Sequence, residues 1–190
     1  VAGKEAAVLL QQVLGAAPTA LHDVVHVDGA TIIRLPVDRY EIAVPREQAP
    51  RLAEALGAAD QAGPEHWEWL AIRAGIPVIL PATQEQFVPQ MVNLDLIGGV
   101  SFQKGCYPGQ EIVARMHYRG TLKQRMVLAN VAAAERPQPG DKLYSPSFGE
   151  QASGAIVNAA RSPESGYDVL AVVQIASVRG GDVRWKSPDG

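Results

Sequence analysis

Apolar residues recur at helical spacing at Ala7, Val8, Leu10, Val13 and Leu14 and stop at Gly15, which predicts a helix over 4–14 closed by a glycine. The period then falls to two. The runs 25–27 and 31–35 flank Asp28-Gly29, a dipeptide suited to a tight hairpin turn, and a third run at 40–44 follows the turn Pro36-Val37-Asp38-Arg39. A short helical pattern over 50–56 ends at Gly57, and another over 65–74 ends at Gly75, ahead of Pro77. The second of these carries Trp67 and Trp69. Residues two apart on a helix do not face the same way, so one indole enters the core and the other points elsewhere.

From 77 to 99 the pattern is irregular and rich in Pro and Gln, with Val78-Ile79-Leu80 as a short strand inside it; long ordered loops of this kind often carry function. After Pro108, Ile112, Val113 and Met116 share one face at helical spacing, predicting a helix with Pro108 in its first position and Gly120 just past its end. Period two returns over 122–131. The linker-like AAAERPQPG at 132–140 marks a domain boundary, and short β runs at 142–144, 154–159, 169–177 and 183–185 beyond it suggest a small barrel. The pattern as a whole is α+β. It predicts one domain over 1–131, an antiparallel sheet covered by helices, and a C-terminal β-barrel domain over 132–190.

Composition narrows the function classes. With 190 residues, 47% of them apolar, the chain can bury a substantial core. A formal charge of −3 and a pI near 5.8 argue against a general nucleic-acid or membrane-surface binder, which gains its affinity from a basic face. No apolar run reaches the roughly 18 residues of a membrane span. One cysteine excludes an internal disulfide and suits a reducing cytoplasm. The chain enters a helical pattern directly from Val1, and we read it as the C-terminal part of a longer protein.

The candidate chemistry centres on Lys104-Gly105-Cys106-Tyr107-Pro108-Gly109-Gln110-Glu111, which holds the single cysteine directly ahead of a helix. A thiol beside a helix N-terminus and a lysine sits in the electropositive setting of reactive cysteines. A free cysteine is also commonly a small buried hydrophobe, and the residues alone leave both readings open. Glu111 complements the dipole of the first turn and is placed to pair with Arg115 four residues on. His22 and His26 lie on a strand about 13 Å apart, too far to share a zinc ion, so no metal site is expected. Arg115, His117, Arg119, Lys123 and Arg125 form a basic cluster, read either as a solvated face that balances a helix C-terminus or as a site for an anionic ligand tail such as a polyglutamate. The stretch GGVSFQKG is not a phosphate loop, because its lysine precedes the glycine and no Ser or Thr follows.

The string KGCYPGQE resembles the K-G-C-[FY]-x-G-Q-E signature of the YgfZ family of folate-binding proteins, which is similar in fold to the aminomethyltransferase (T-protein) of glycine cleavage. The resemblance continues through IRAGIPVI and NLDLIGGVSFQKGCYPGQEIVAR and covers the chain from the first strands to the barrel. It implies a T-protein-like folate-binding domain, partial here, and tetrahydrofolate or a one-carbon derivative as cofactor. The implied role is to support iron–sulfur cluster assembly or repair and, through it, tRNA modification. The implied partners are iron–sulfur client proteins and the N-terminal part of the same protein, with no direct DNA binding and no membrane.

The resemblance makes Cys106 the working thiol, with Lys104 beside it, and draws the folate contacts from Trp67, Glu41, Tyr107, Gln110, Glu111 and Arg115. Trp67 falls where the family has a folate-contacting tryptophan, and an indole is apt for stacking a flat heterocycle. Glu41, in YEIAVP, stands where T-proteins have a pteridine-binding glutamate, and a carboxylate can accept both N–H donors of an aminopyrimidine edge. By pattern alone Trp67 is equally a core residue and Glu41 an exposed strand residue. One departure bears on activity. The T-protein pattern R-x-E-A-G reads Ala71-Ile72-Arg73-Ala74-Gly75, so the folate-contacting arginine is replaced by Ala71 and the glutamate by Arg73. This favours an accessory role over the alternative, an aminomethyltransferase; a third reading is a fragment without independent activity.

Overall fold

In the computed structural model, which describes residues 1–57 and 59–188, the first helical pattern becomes α1 (Ala6–Leu14), closed by Gly15 at φ +72°. Three strands follow as an antiparallel meander, β1 (Val24–Val27), β2 (Ala30–Leu35) and β3 (Arg39–Ala43), in that spatial order. Asp28 and Gly29 both take left-handed φ, the geometry that matches a two-residue loop to the twist of its strands. Ala6 and Leu10 of α1 pack on Ile32 and Tyr40 of the sheet. With α2 (Ala49–Ala55) these elements belong to one compact unit, Val1–Pro64; the second unit is Glu65–Gly190.

The second unit holds all but the first residue of α3 (Pro64–Arg73), passes through a long irregular stretch to α4 (Gln110–Arg119), and continues into a five-stranded antiparallel sheet. Its strands are β4 (Gln124–Val131), β5 (Lys142–Tyr144), β6 (Gly154–Arg161), β7 (Tyr167–Gln174) and β8 (Arg184–Trp185), with a short α5 (Ile175–Gly180) between β7 and β8. The spatial order is β4-β7-β6-β5-β8, so β4 and β8 are free ends, and the sheet curls into a half-barrel instead of the small barrel predicted.

Both faces of this sheet are covered, which explains why β6 and β7 are almost continuously apolar where a half-solvated strand would alternate. Ile156, Ala159, Val169, Ala171 and Val173 line one face with Leu143. Val157, Ala160, Leu170 and Val172 line the other with Met126, beneath Ile72 of α3 and Val92 of the loop. Ile72 is 3% exposed, and burying such a side chain contributes roughly 2 kcal/mol.

Two polar contacts fix the segment between α3 and α4. Asn158 accepts a hydrogen bond from the Val78 N–H and donates one to the Val78 carbonyl, both at 2.8 Å, so its amide takes the place of a neighbouring strand. The stretch Val78-Ile79-Leu80, predicted as a strand, is therefore extended without being one, and runs into a single 3-10 turn, Pro81–Thr83. Register in the sheet shifts between Ile156 and Asn158, a bulge of the kind that re-aims a side chain. The second contact is the loop's hold on β4. Asn93 donates to the Met126 carbonyl at 2.9 Å, the Met126 N–H donates to the Met91 carbonyl at 2.7 Å, and Arg125 forms a two-pronged pair with Asp95 at 2.9 and 3.2 Å.

One further strand expectation shifts by a few residues. The run 169–177 divides, because β7 ends at Gln174 and Ile175 begins α5. The stretch 132–140 lies inside the second unit, with β4 before it hydrogen-bonded to β7 after it. Among the described residues no helix is long and apolar enough to cross a membrane.

Candidate functional site: the loop that leads into α4

The pattern predicts Pro108 as the first helical residue, but α4 begins at Gln110, and Gly109 precedes it as the cap at φ +83°. No neighbouring atom lies within 4 Å of a Cβ built on Gly109, so its requirement for glycine is conformational alone. Gly109→Ala should therefore cost about 1–2 kcal/mol, the penalty of a left-handed L-residue; chemical unfolding followed by circular dichroism checks it, and a loss under about 0.3 kcal/mol would refute this account of the cap. Gly120 at the other end is extended (φ −94°) and small for a different reason, since an added Cβ would come within 2.6 Å of Met116 Sδ.

The loop is tied to the helix by a reciprocal pair. The Gln110 N–H donates to the Tyr107 carbonyl at 3.2 Å, and the Tyr107 N–H donates to Gln110 Oε1 at 3.3 Å. Two N–H groups at the head of the segment are thus satisfied, much as in a capping box. Lys104 Nζ stands over the Tyr107 ring, 4.8 Å from its centroid, a cation–π contact. Between these anchored neighbours Cys106 is exposed to solvent. The loop therefore presents the thiol, and the reading of Cys106 as a buried hydrophobe is set aside.

α4 itself is shallowly seated. Val113 is its only buried residue among those described, and the buried Gln90 donates Nε2 to the Val113 carbonyl at 2.7 Å. Ile112, expected on the inner face, is 60% exposed; it lies about 100° round the helix from Val113. Glu111 and Arg115 are both exposed, and among the described residues no ion pair joins them. Arg125, counted in the basic cluster, is committed to Asp95 and leaves it.

Of the two tryptophans of α3, Trp69 turns inward and packs on the sheet-side core, donating Nε1 to Asp168 at 2.7 Å. Trp67 is 36% exposed. Arg73 lies 3.7 Å from Asp168 and so serves the sheet contact. Asp168 also accepts from Asn130 Nδ2 at 2.9 Å. This carboxylate, 7% exposed and bound from three sides, was not found by sequence reasoning; a lone Asp opening an apolar strand was the available signal. Glu41 is exposed on β3 in the first unit, opposite Ile33 of β2. Burial lowers the pKa of its neighbour Arg39, and the Glu41 charge opposes that shift. Lys104, Cys106, Tyr107, Gln110, Glu111 and Arg115 are brought together by the loop and α4, while Trp67 stands on α3. A cavity of about 470 Å³ on the half-barrel, lined by Val127, Leu143, Ile156, Val173 and Trp185 among others, includes none of the predicted site residues.

A tRNA-modifying protein YgfZ from Yersinia pestis is 38% identical over 146 residues, which is 75% of this chain and 44% of the relative. Those of Yersinia pseudotuberculosis and Yersinia enterocolitica match at 38% with the same shares. The chain belongs to the YgfZ family. No family model matches it. The match spans less than half the length of these YgfZ relatives.

Proposed function

We propose that this YgfZ-family chain is part of a tetrahydrofolate-binding accessory protein of the cytoplasm that supports iron–sulfur cluster assembly or repair and, through it, tRNA modification. The observation that carries the reading is the presentation of Cys106, exposed between the Lys104–Tyr107 contact and the Tyr107–Gln110 pair. A thiol held on an anchored loop and open to solvent suits exchange with a client protein better than packing does. Lys104 supplies positive charge close to it. Trp67 is 36% exposed, and an indole is apt for stacking a pterin. The side chains of Tyr107, Gln110, Glu111 and Arg115 stand on the same loop and helix; Tyr107 and Gln110 shape the loop, while Glu111 and Arg115 are exposed for contact.

The replacement of the T-protein arginine by Ala71 favours binding without aminomethyl transfer. Titration of a reduced folate with tryptophan fluorescence as the readout tests this. Binding is expected to quench the signal, and Trp67→Ala should weaken affinity by about 1–3 kcal/mol if the indole stacks on the pterin. Unchanged affinity in that variant removes Trp67 from the site. Formation of methylene-tetrahydrofolate from an aminomethyl-lipoyl donor at enzymatic rates would overturn the accessory reading.

A further inference from the structure

The outward stripe of α4 carries Glu111, Arg115, Tyr118 and Arg119, at i, i+4, i+7 and i+8, so all four share one face. Residues 101–125 hold five Lys and Arg against one acidic residue, in a chain whose net charge is −3. Arg125 is neutralised by Asp95, but among the described residues none of Lys104, Arg115, Arg119 and Lys123 is in an ion pair. The same stretch carries a cluster of rings. Phe102 stacks on His117 with centroids 3.7 Å apart and planes 17° from parallel, and Tyr118 meets both edge-on at 6.5 and 4.7 Å. Tyr118 is nonetheless 69% exposed.

Balancing the helix C-terminus accounts for a cation in the last turn, but not for a supported, outward tyrosine that shares its helix face with Arg115 and Arg119. Unpaired cations beside an exposed aromatic platform match a strand that offers phosphates and unstacked bases together. We propose that this face of α4 binds a single-stranded RNA segment, with Arg115 and Arg119 on phosphates, Lys104 and Lys123 adding positive charge from the flanking segments, and one base stacked on Tyr118. A paired duplex fits less well, because its bases are stacked within it and the A-form major groove excludes side chains. A membrane surface fits less well too, since the stripe's apolar content is one tyrosine flanked by Ile112. The choice of RNA over DNA rests on the role in tRNA modification proposed above, whereas the contact chemistry does not depend on folate.

Fluorescence anisotropy with a labelled RNA hairpin, a fully paired duplex of matched length and the unlabelled hairpin as competitor tests the proposal on this chain without folate. The hairpin should bind more tightly than the duplex. Its log affinity should fall with log salt at a slope of about −0.7 per phosphate contacted. Arg115→Ala with Arg119→Ala should make that slope shallower by about 1.4. Tyr118→Ala should weaken binding about tenfold at unchanged slope, and Tyr118→Phe should restore it. Because these side chains are exposed, circular dichroism should show every variant folded. No binding at low salt, equal affinity for duplex and hairpin, no effect of Tyr118→Ala, or displacement of the hairpin by equimolar poly-γ-glutamate would each overturn the proposal. Failure of folate binding with intact RNA binding would count against the function proposed above and not against this site.

Discussion

Replacing Cys106 by serine should abolish support of iron–sulfur enzymes in cells that depend on the protein, while leaving its fold and its affinity for a reduced folate nearly unchanged. The separation follows from where the residue stands. Cys106 is exposed, on a loop held by its neighbours Tyr107 and Gln110, so exchanging sulfur for oxygen should change stability by less than about 0.5 kcal/mol. What serine removes is the nucleophile and soft ligand, since an alcohol forms neither mixed disulfides nor thiolate–iron bonds at neutral pH. Activity of an iron–sulfur enzyme in complemented cells is the readout, with iodoacetamide labelling of the folded wild type as a check that the thiol is reachable. Full complementation by Cys106→Ser would mean that the loop acts without its sulfur and that the role assigned to the thiol is wrong.

Asp168→Ala should destabilise the second unit by about 3–5 kcal/mol. The carboxylate is 7% exposed and accepts from Trp69 Nε1 at 2.7 Å and Asn130 Nδ2 at 2.9 Å, with Arg73 at 3.7 Å. Removing a charged acceptor costs about 1.5–3 kcal/mol per hydrogen bond and leaves the partly buried indole N–H without its partner. Arg73 is half-exposed and adds little, because water screens it once the carboxylate is gone. A loss of that size is a large share of the 5–15 kcal/mol typical of a domain. Urea unfolding read by tryptophan fluorescence measures it, and Asp168→Asn, which keeps one acceptor, should lose roughly half as much. A loss under about 1 kcal/mol for the alanine variant would show that α3 is held by Ile72 and its apolar neighbours alone.

What could be read from the chain and what could not divide along a physical line. Gly15, Gly75 and the Asp28-Gly29 turn were legible because their requirement is local: each needs a left-handed backbone, and the flanking period names the element. The start of α4 was misjudged because both Pro108 and Gly109 fit a helix entrance, and the left-handed φ of Gly109 decided between them. Val78-Ile79-Leu80 has the composition of a strand, but its partner is a side-chain amide 80 positions further on, which no local pattern announces. The same distance effect hid Asp168, whose partner Trp69 is 99 residues away. At the candidate site, the string around Cys106 identified the family, but the bonds that make the loop present its thiol depend on how Gln110 turns back to Tyr107.

The hold of residues 91–95 on β4 has a bearing on solubility. β4 ends one side of its sheet, and an end strand reading Met126-Val127-Leu128-Ala129-Asn130-Val131 has the apolar content that pairs readily with a second copy. At Met126 both backbone groups on the open side are already taken, the N–H by the Met91 carbonyl and the carbonyl by Asn93, with the Arg125–Asp95 pair fastening the loop across that position. The loop thus works as an edge guard: it removes the first rungs on which another strand would align and sets a charged pair at the place where sheet-to-sheet aggregation would begin.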